Sequence, residues 1–339
     1  MKEQIVNQQI VNQQIMQKRK VGNSGLEIAP LVFGGNVFGW TVDETAGFKL
    51  LDHFVDAGFN MIDTSDAYST WVPGNHGGES ETIIGKWQKQ SNKRGQVLIA
   101  TKVGLEMGAG KKGLSKKYIL HEVEESLARL QTDYIDLYQS HTEDPETPQE
   151  ETLGAYAELM RSGKVRAIGA SNYRPETLRS ALEISWHKGL PRYESLQPHY
   201  NLYERAQFED GLEAVCRENN LGVITYFSLA SGFLTGKYRS EKDLENRIRG
   251  SRVQKYLNPR GFRILRALDE VAEEHNSTPA QVSLAWLLAR PAVTAPIASA
   301  TNLKQLDELI GATRLKLDTA TIEKLDRASE YSEGERKIA

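Results

Sequence analysis

A short apolar run, then a segment with helical spacing, then another apolar run: this alternation recurs eight times along the chain and constrains its fold more than any other feature. The candidate strands are Leu31–Gly35, Phe59–Asp63, Val97–Lys102, Tyr134–Gln139, Val165–Gly169, Glu194–Pro198, Gly222–Phe227 and Val293–Ile297. Most are continuously apolar rather than alternating, which is how strands covered on both faces read. Between them, Thr41-Val42-Asp43-Glu44 forms a capping box that opens a helix with Leu51, Phe54 and Val55 and stops near Gly58. Leu120, Val123, Leu127 and Leu130 follow helical spacing, as do Leu153, Tyr156, Leu159 and Met160 before Gly163. Pro279 suits the first turn of the helix before the last strand. Ahead of all this, Lys18–Val21 and Leu26–Ala29 flank Gly22-Asn23-Ser24-Gly25, the pattern of a small hairpin.

Parallel strands joined by helices predict an α/β fold, and eight repeats predict a closed (β/α)8 TIM barrel with long βα loops. An open doubly wound sheet is the alternative, disfavoured because no Gly-x-Gly-x-x-Gly follows the first strand. Two long connections, Ser69–Gly78 and Ala230–Arg260, have the length of working loops. A chain of 339 residues, 39% hydrophobic and 26% charged, has the material for one barrel domain, expected over residues 18–339. Residues 1–17 read as a polar low-complexity tail: Ile5-Val6-Asn7-Gln8-Gln9 repeats as Ile10-Val11-Asn12-Gln13-Gln14. That repeat makes Met16 an alternative to Met1 as the start. A net charge of −3 gives no basic surface for nucleic acid. No apolar run reaches membrane-spanning length, so no membrane partner and a cytoplasmic location are expected. The single cysteine, Cys216, sits with Leu212 and Val215 on a helix face and reads as a buried structural thiol.

Four polar residues fall at or just past predicted strand ends: Asp63, Tyr68, Lys102 and His141. In a parallel barrel the chemistry gathers at that end. A free phenol is a poor acid at neutral pH. A neighbouring ammonium favours the phenolate and makes the phenol a better proton donor. A carboxylate keeps that ammonium charged and in place. An imidazole at the same point can donate to a carbonyl oxygen. Such a set suits a reaction in which a carbonyl oxygen gains negative charge and then a proton. It supplies no hydride, so a cofactor must.

The chain resembles the aldo-keto reductase family. The matching residues are Asp63-Thr64-Ser65-Asp66-Ala67-Tyr68, Gly78-Glu79-Ser80-Glu81 with Gly85, and Thr101-Lys102. His141 with Asp144, then Gly163 to Asn172, Gln197, Tyr200-Asn201 and Gly232 to Tyr238 continue the match. The resemblance runs from about Lys18 to about Ser329. It implies an NADP(H)-dependent oxidoreductase in which Tyr68 gives the proton, Lys102 and Asp63 tune it and His141 orients the carbonyl. It implies that Ser171, Asn172 and Gln197 hold the nicotinamide carboxamide and that Tyr226 stacks on the ring. Leu229, Gly232, Lys237, Arg252, Ser299, Thr301 and Gln305 fall on further cofactor positions. The arginine that many relatives carry at the Gln305 position is missing, and Leu309 replaces an asparagine of one branch, so NAD stays open beside NADP. Phe38, Trp40 and Trp71 are expected to wall the substrate pocket.

Neither the substrate nor the oligomeric state is readable. Two other readings stand beside the reductase. Some relatives keep the cofactor site and serve as a regulatory subunit of a membrane channel. Lys102 at a barrel strand end could instead form a Schiff base, as in aldolases, although that leaves Tyr68, Ser171, Asn172 and Gln197 without work. His76 near Glu79 and Glu81 has no second histidine or cysteine at ligand spacing, so no metal site is expected. His199 borders the same region and reads equally as a structural residue.

Overall fold

The structure, a computed structural model, describes residues 16–331. The repeat tail over residues 1–15 lies outside the described residues. Strands β1 (Arg19–Lys20) and β2 (Glu27–Ile28) pair as an antiparallel hairpin. Eight parallel strands follow: β3 (Val32–Gly34), β4 (Met61–Asp63), β5 (Leu98–Val103), β6 (Ile135–Ser140), β7 (Val165–Ser171), β8 (Tyr193–Gln197), β9 (Gly222–Thr225) and β10 (Val293–Ala298). Each pairs with the next, and β10 pairs with β3 to close the barrel. Helices α1 (Glu44–Asp56), α2 (Glu79–Ser91), α3 (Lys116–Leu130), α4 (Gln149–Arg161), α5 (Pro175–Lys188) and α6 (Glu213–Glu218) join β3 through β9. The long β9–β10 connection carries α7 (Gly250–Val253), α8 (Pro259–Glu274) and α9 (Pro279–Leu288). Helices α10 (Leu303–Ala312) and α11 (Thr319–Ser329) follow the last strand.

Two cores divide the apolar residues. Outward-facing Phe33, Ile62, Ile99, Tyr138, Ile168 and Val223 join the helices in the larger one. The barrel interior holds the second: Val32, Met61, Ala100, Leu137, Ala167, Ile224 and Ala295, with Val21, Leu26 and Ile28 of the hairpin region plugging its N-terminal end. Side chains two residues further along a strand face the same way. From Met61, Ala100 and Leu137 that parity leads to Asp63, Lys102 and Gln139. The hairpin closes the bottom with apolar groups, so the polar members of the interior rows collect at the open end. Ion pairs at the bottom are structural by contrast. Fully buried Asp136 is held by Arg94 and Arg166, which lie over the Tyr134 ring at 3.8 and 4.0 Å from its centroid.

Some expected boundaries move. The capping box over Thr41–Glu44 is not the one the chain uses. Asp43 caps α1, its Oδ1 accepting the Ala46 N–H at 2.8 Å. Thr41 is still in the preceding turn, its N–H bonded to Val37, and its hydroxyl has no partner among the described residues. Phe59 and Asn60 precede β4 because Asn60 is drawn to the hairpin, accepting from Ala29 N at 2.9 Å and donating to Glu27 O at 2.9 Å. Tyr226 and Phe227 fall outside β9 because Phe227 turns the chain with φ +50°. Gly85 earns its place by close approach. A Cβ there would stand 2.1 Å from the Arg129 carbonyl oxygen of α3.

Candidate active site

The ends of β4 and β5 bring three groups into contact. Lys102 Nζ donates to Asp63 Oδ2 at 2.8 Å, to the Thr64 carbonyl at 2.8 Å and to the Tyr68 hydroxyl oxygen at 2.7 Å. The Tyr68 hydroxyl donates to the same Asp63 oxygen at 2.9 Å. Gln197, at the end of β8, donates to Asp63 Oδ1 at 2.8 Å. The ammonium and the carboxylate are both fully buried. Burial pulls the Lys102 ammonium down from its ordinary range, and Asp63 opposes that. Burial, reinforced by Asp63, pushes the Tyr68 phenol well up, so it holds its proton at rest. All three ammonium N–H groups find acceptors, in Asp63, the Thr64 carbonyl and Tyr68.

His141 closes the group from the loop after β6. Its ring centroid is 6.0 Å from that of Tyr68. Burial, then the nearby Lys102 charge, hold its imidazole well below the ordinary range, so it is neutral. Nδ1 lies 3.1 Å from the Ser65 hydroxyl. Nε2 has no protein partner among the described residues, and His141 lines a cavity of about 1280 Å³ that opens over the barrel.

Two chemically distinct sets of side chains line that cavity. One is Asp63, Tyr68, His141, Ser171, Asn172, Gln197 and Tyr226. The Asn172 amide donates to the His141 carbonyl at 2.9 Å and accepts the Tyr226 hydroxyl at 2.7 Å. Gln197 turns its N–H groups to Asp63 and Gln139, leaving its amide oxygen free of protein donors among the described residues. Leu229, Gly232, Lys237, Arg252, Ser299, Thr301 and Gln305 make up the other set. There Ala230, Ser231 and Gly232 take three consecutive positive φ values, +47°, +58° and +97°. Such backbone is costly outside glycine and is held only where the surroundings enforce it. A Cβ on Gly232 would stand 3.2 Å from the Lys237 ammonium. Thr301 and Gln305 bond each other at the start of α10, Thr301 N–H to Gln305 Oε1 at 2.9 Å. Amide groups, an aromatic ring and cations in one cavity have the chemistry to meet the parts of a nicotinamide dinucleotide.

The three residues expected to wall the substrate separate. Trp71 lines the cavity and is 40% exposed. Trp40 stands behind it, edge to face at 5.6 Å between ring centroids. Phe38 does not reach the cavity: its fully buried ring stacks on Phe33 at 5.5 Å, and the cavity is bounded there by Asn36 and Val37 instead. The reason is parity, since Phe38 turns inward to α1 after the short helical turn Gly35–Val37. Arg249 and Arg252 lie over Trp40 at 5.1 and 5.7 Å, tying the β9 loop to the β3 loop.

Sequence reasoning missed Asn36, Phe227, Arg247, Arg249 and Glu308 in the lining. Asn36 could have been found, as it follows the first strand end just as His141 follows the fourth. It accepts a hydrogen bond from Ser299 at 2.7 Å. His199 does border the cavity, its ring stacked on Tyr226 at 5.3 Å. Around His76, Glu79 accepts from the His76 backbone N–H, and Glu81 pairs with Arg129 at 2.6 Å.

Comparison with known proteins decides the family. The sequence model of the aldo/keto reductase family matches residues 30–330. This chain is an aldo/keto reductase. It is 34% identical over 299 residues to a Schizosaccharomyces pombe protein called aldo-keto reductase yakc [NADP(+)], covering 86% of this chain and 84% of that one. It is 33% identical to aldo-keto reductase YhdN of Bacillus subtilis, covering 88% and 89%. It is 32% identical to L-glyceraldehyde 3-phosphate reductase of Escherichia coli K12, covering 92% of each chain. The aldo/keto reductase is thus an NAD(P)H-dependent oxidoreductase. Among its described residues no helix is long and apolar enough to cross a membrane.

Proposed function

We propose that this aldo/keto reductase reduces an aldehyde or ketone to an alcohol with NADPH, Tyr68 giving the proton. The observation that carries the reading is the buried Lys102–Tyr68–Asp63 contact beside a neutral His141, at the floor of a cavity with the chemistry of a dinucleotide site. Ser171, Asn172 and Gln197 would hold the carboxamide, Tyr226 the ring, and Lys237, Arg252 and the α10 start the phosphates. Bound there, the cofactor supplies the hydride.

The residues then handle the oxygen. At rest the Tyr68 proton points to Asp63. A carbonyl oxygen between the Tyr68 hydroxyl and His141 Nε2 gives that proton a second acceptor. As charge builds on the oxygen, the hydroxyl turns to it and the proton leaves. The Lys102 N–H already bonded to the phenol oxygen stabilises the phenolate formed. Asp63 holds the ammonium charged through the step. The reverse oxidation uses the same groups. NADP is favoured over NAD by cations in the lining, Lys237, Arg247, Arg249 and Arg252, none in an ion pair among the described residues. The yeast relative whose name carries NADP(+) agrees. A cytoplasmic location, a small carbonyl substrate and a single barrel domain over 18–339 belong to the same proposal.

The test is Tyr68→Phe. It keeps the ring and removes the proton. NADPH binding, followed by fluorescence, should persist, while single-turnover hydride transfer to a panel of aldehydes, ketones and sugars should fall by about 10²-fold or more. Near-normal transfer in the variant would sink the mechanism.

A further inference from the structure

Behind the catalytic group runs a second chain of hydrogen bonds, from Asp66 through Ser65 to His141. The Ser65 hydroxyl oxygen lies 2.9 Å from Asp66 Oδ1 and 3.1 Å from His141 Nδ1, and it accepts the Ala67 N–H at 3.0 Å. We infer that Asp66 sets the tautomer of His141 through Ser65, and so acts as a positioning residue for carbonyl reduction. This rests on the reading of His141 as a donor to the carbonyl.

The argument is an inventory. A hydroxyl has one proton and two lone pairs. Ala67 takes one lone pair. One proton and one lone pair remain for Asp66 and His141, and they can be shared in only two ways. In the first, Ser65 donates to an ionised Asp66 and His141 Nδ1–H donates to Ser65. Nε2 is then bare and repels a carbonyl oxygen. In the second, a protonated Asp66 donates to Ser65, Ser65 donates to Nδ1, and Nε2 carries the hydrogen. The two differ by one proton, lost from Asp66; a proton on Oδ2 instead would leave a buried O–H without an acceptor among the described residues, so the charge of Asp66 and the face His141 shows to the cavity change together.

The surroundings select the second arrangement. Asp66 is fully buried and its Oδ2 has no partner among the described residues. Its backbone is pinned, N–H to Lys102 O at 3.3 Å and O to Gly78 N–H at 2.6 Å. The groups that face it are mostly acidic or neutral: Glu81 on α2, Glu122 and Tyr118 on α3, Tyr138 on β6 and Tyr156 on α4. Arg129 is shared between Glu81 and Glu122, and Lys102 is committed to Asp63, Thr64 and Tyr68. Burial, then Glu81 and Glu122, push the Asp66 carboxyl well up, which agrees with the geometry. Raising the pH far enough to ionise Asp66 would flip His141 and weaken reduction.

Two-bond proton–nitrogen correlation NMR of the full chain reads the tautomer directly, with His141→Gln assigning the signal. The parent at neutral pH should show the Nε2–H form. Parallel measurements follow NADPH oxidation with 4-nitrobenzaldehyde as pH rises. Asp66→Asn cannot ionise, so the Nε2–H form should persist and the alkaline fall in reductive kcat assigned to Asp66 should vanish. Ser65→Ala cuts the chain, so reductive kcat should fall roughly 3–10-fold, the scale of one hydrogen bond, with the same alkaline limb lost. An Nδ1–H form in the neutral parent would overturn the inference even if neither variant folded. So would an unchanged alkaline limb in Asp66→Asn. A parent that shows Nε2–H and reduces no carbonyl would support the relay and sink the carbonyl reading instead.

Discussion

Replacing Lys102 with Met keeps most of the stem and deletes the charge, and the structure gives the size of the result. In Lys102→Met the Asp63 carboxylate keeps the Gln197 and Tyr68 donors but loses its ion-pair partner. Breaking a buried ion pair from one side costs about 3–5 kcal/mol. A loss of about 4 kcal/mol is therefore expected, or roughly 5–10 °C in Tm.

The partner variant sharpens the test. Asp63→Asn with Lys102→Met removes both charges and should recover most of the stability while leaving hydride transfer impaired by about 10²-fold or more. Thermal unfolding of the parent, both single variants and the double variant at pH 7 gives the cycle. Single-turnover kinetics give the chemical step separately. If Lys102→Met lost under 1 kcal/mol, or the double variant were no more stable than Lys102→Met, the buried pair would not hold the charges assigned to it.

Two further outcomes are expected. Arg252→Ala should weaken NADPH binding about tenfold or more, since a charge-assisted phosphate contact is worth about 1.5–3 kcal/mol; unchanged affinity in a fluorescence titration would return Arg252 to a stacking role over Trp40 and Trp71. Burial, and secondarily Lys255, push the His199 imidazole down to about 4 despite the opposing Glu204, so the folded state binds fewer protons than the unfolded one between about pH 4 and the ordinary range. Stability should therefore fall as pH drops through that window, and His199→Gln should flatten the Tm-against-pH curve there.

The barrel was legible because its strands are buried on both faces, so continuous apolar runs marked them without any need to know the pairing. Helix α2 was not, and its buried face explains why. Ser80, Glu81 and Gln88 are buried there beside Ile83, Ile84 and Trp87, since Glu81 meets Thr101 and Arg129 and Gln88 meets the Leu130 carbonyl. Polar residues on an inward face erase the apolar spacing that announces a helix. Phe38 misled for the opposite reason. An aromatic close to a strand end was read as pocket, while one turn of helical backbone rotated it into the core.

The reacting groups were legible at one level and hidden at the next. Asp63 and Lys102 each lie two residues beyond an interior apolar side chain, Met61 and Ala100, so strand parity alone carries them to the open end of the barrel. Parity says nothing about what lies behind them. Ser65 meets His141 across 76 residues of sequence, and Asp66 feels the charges of Glu81 on α2 and Glu122 on α3. A single-period pattern locates the groups that point into the cavity. The protonation state in which they work depends on a buried acidic layer drawn from β4, α2 and α3 together, and that layer is a property of packing.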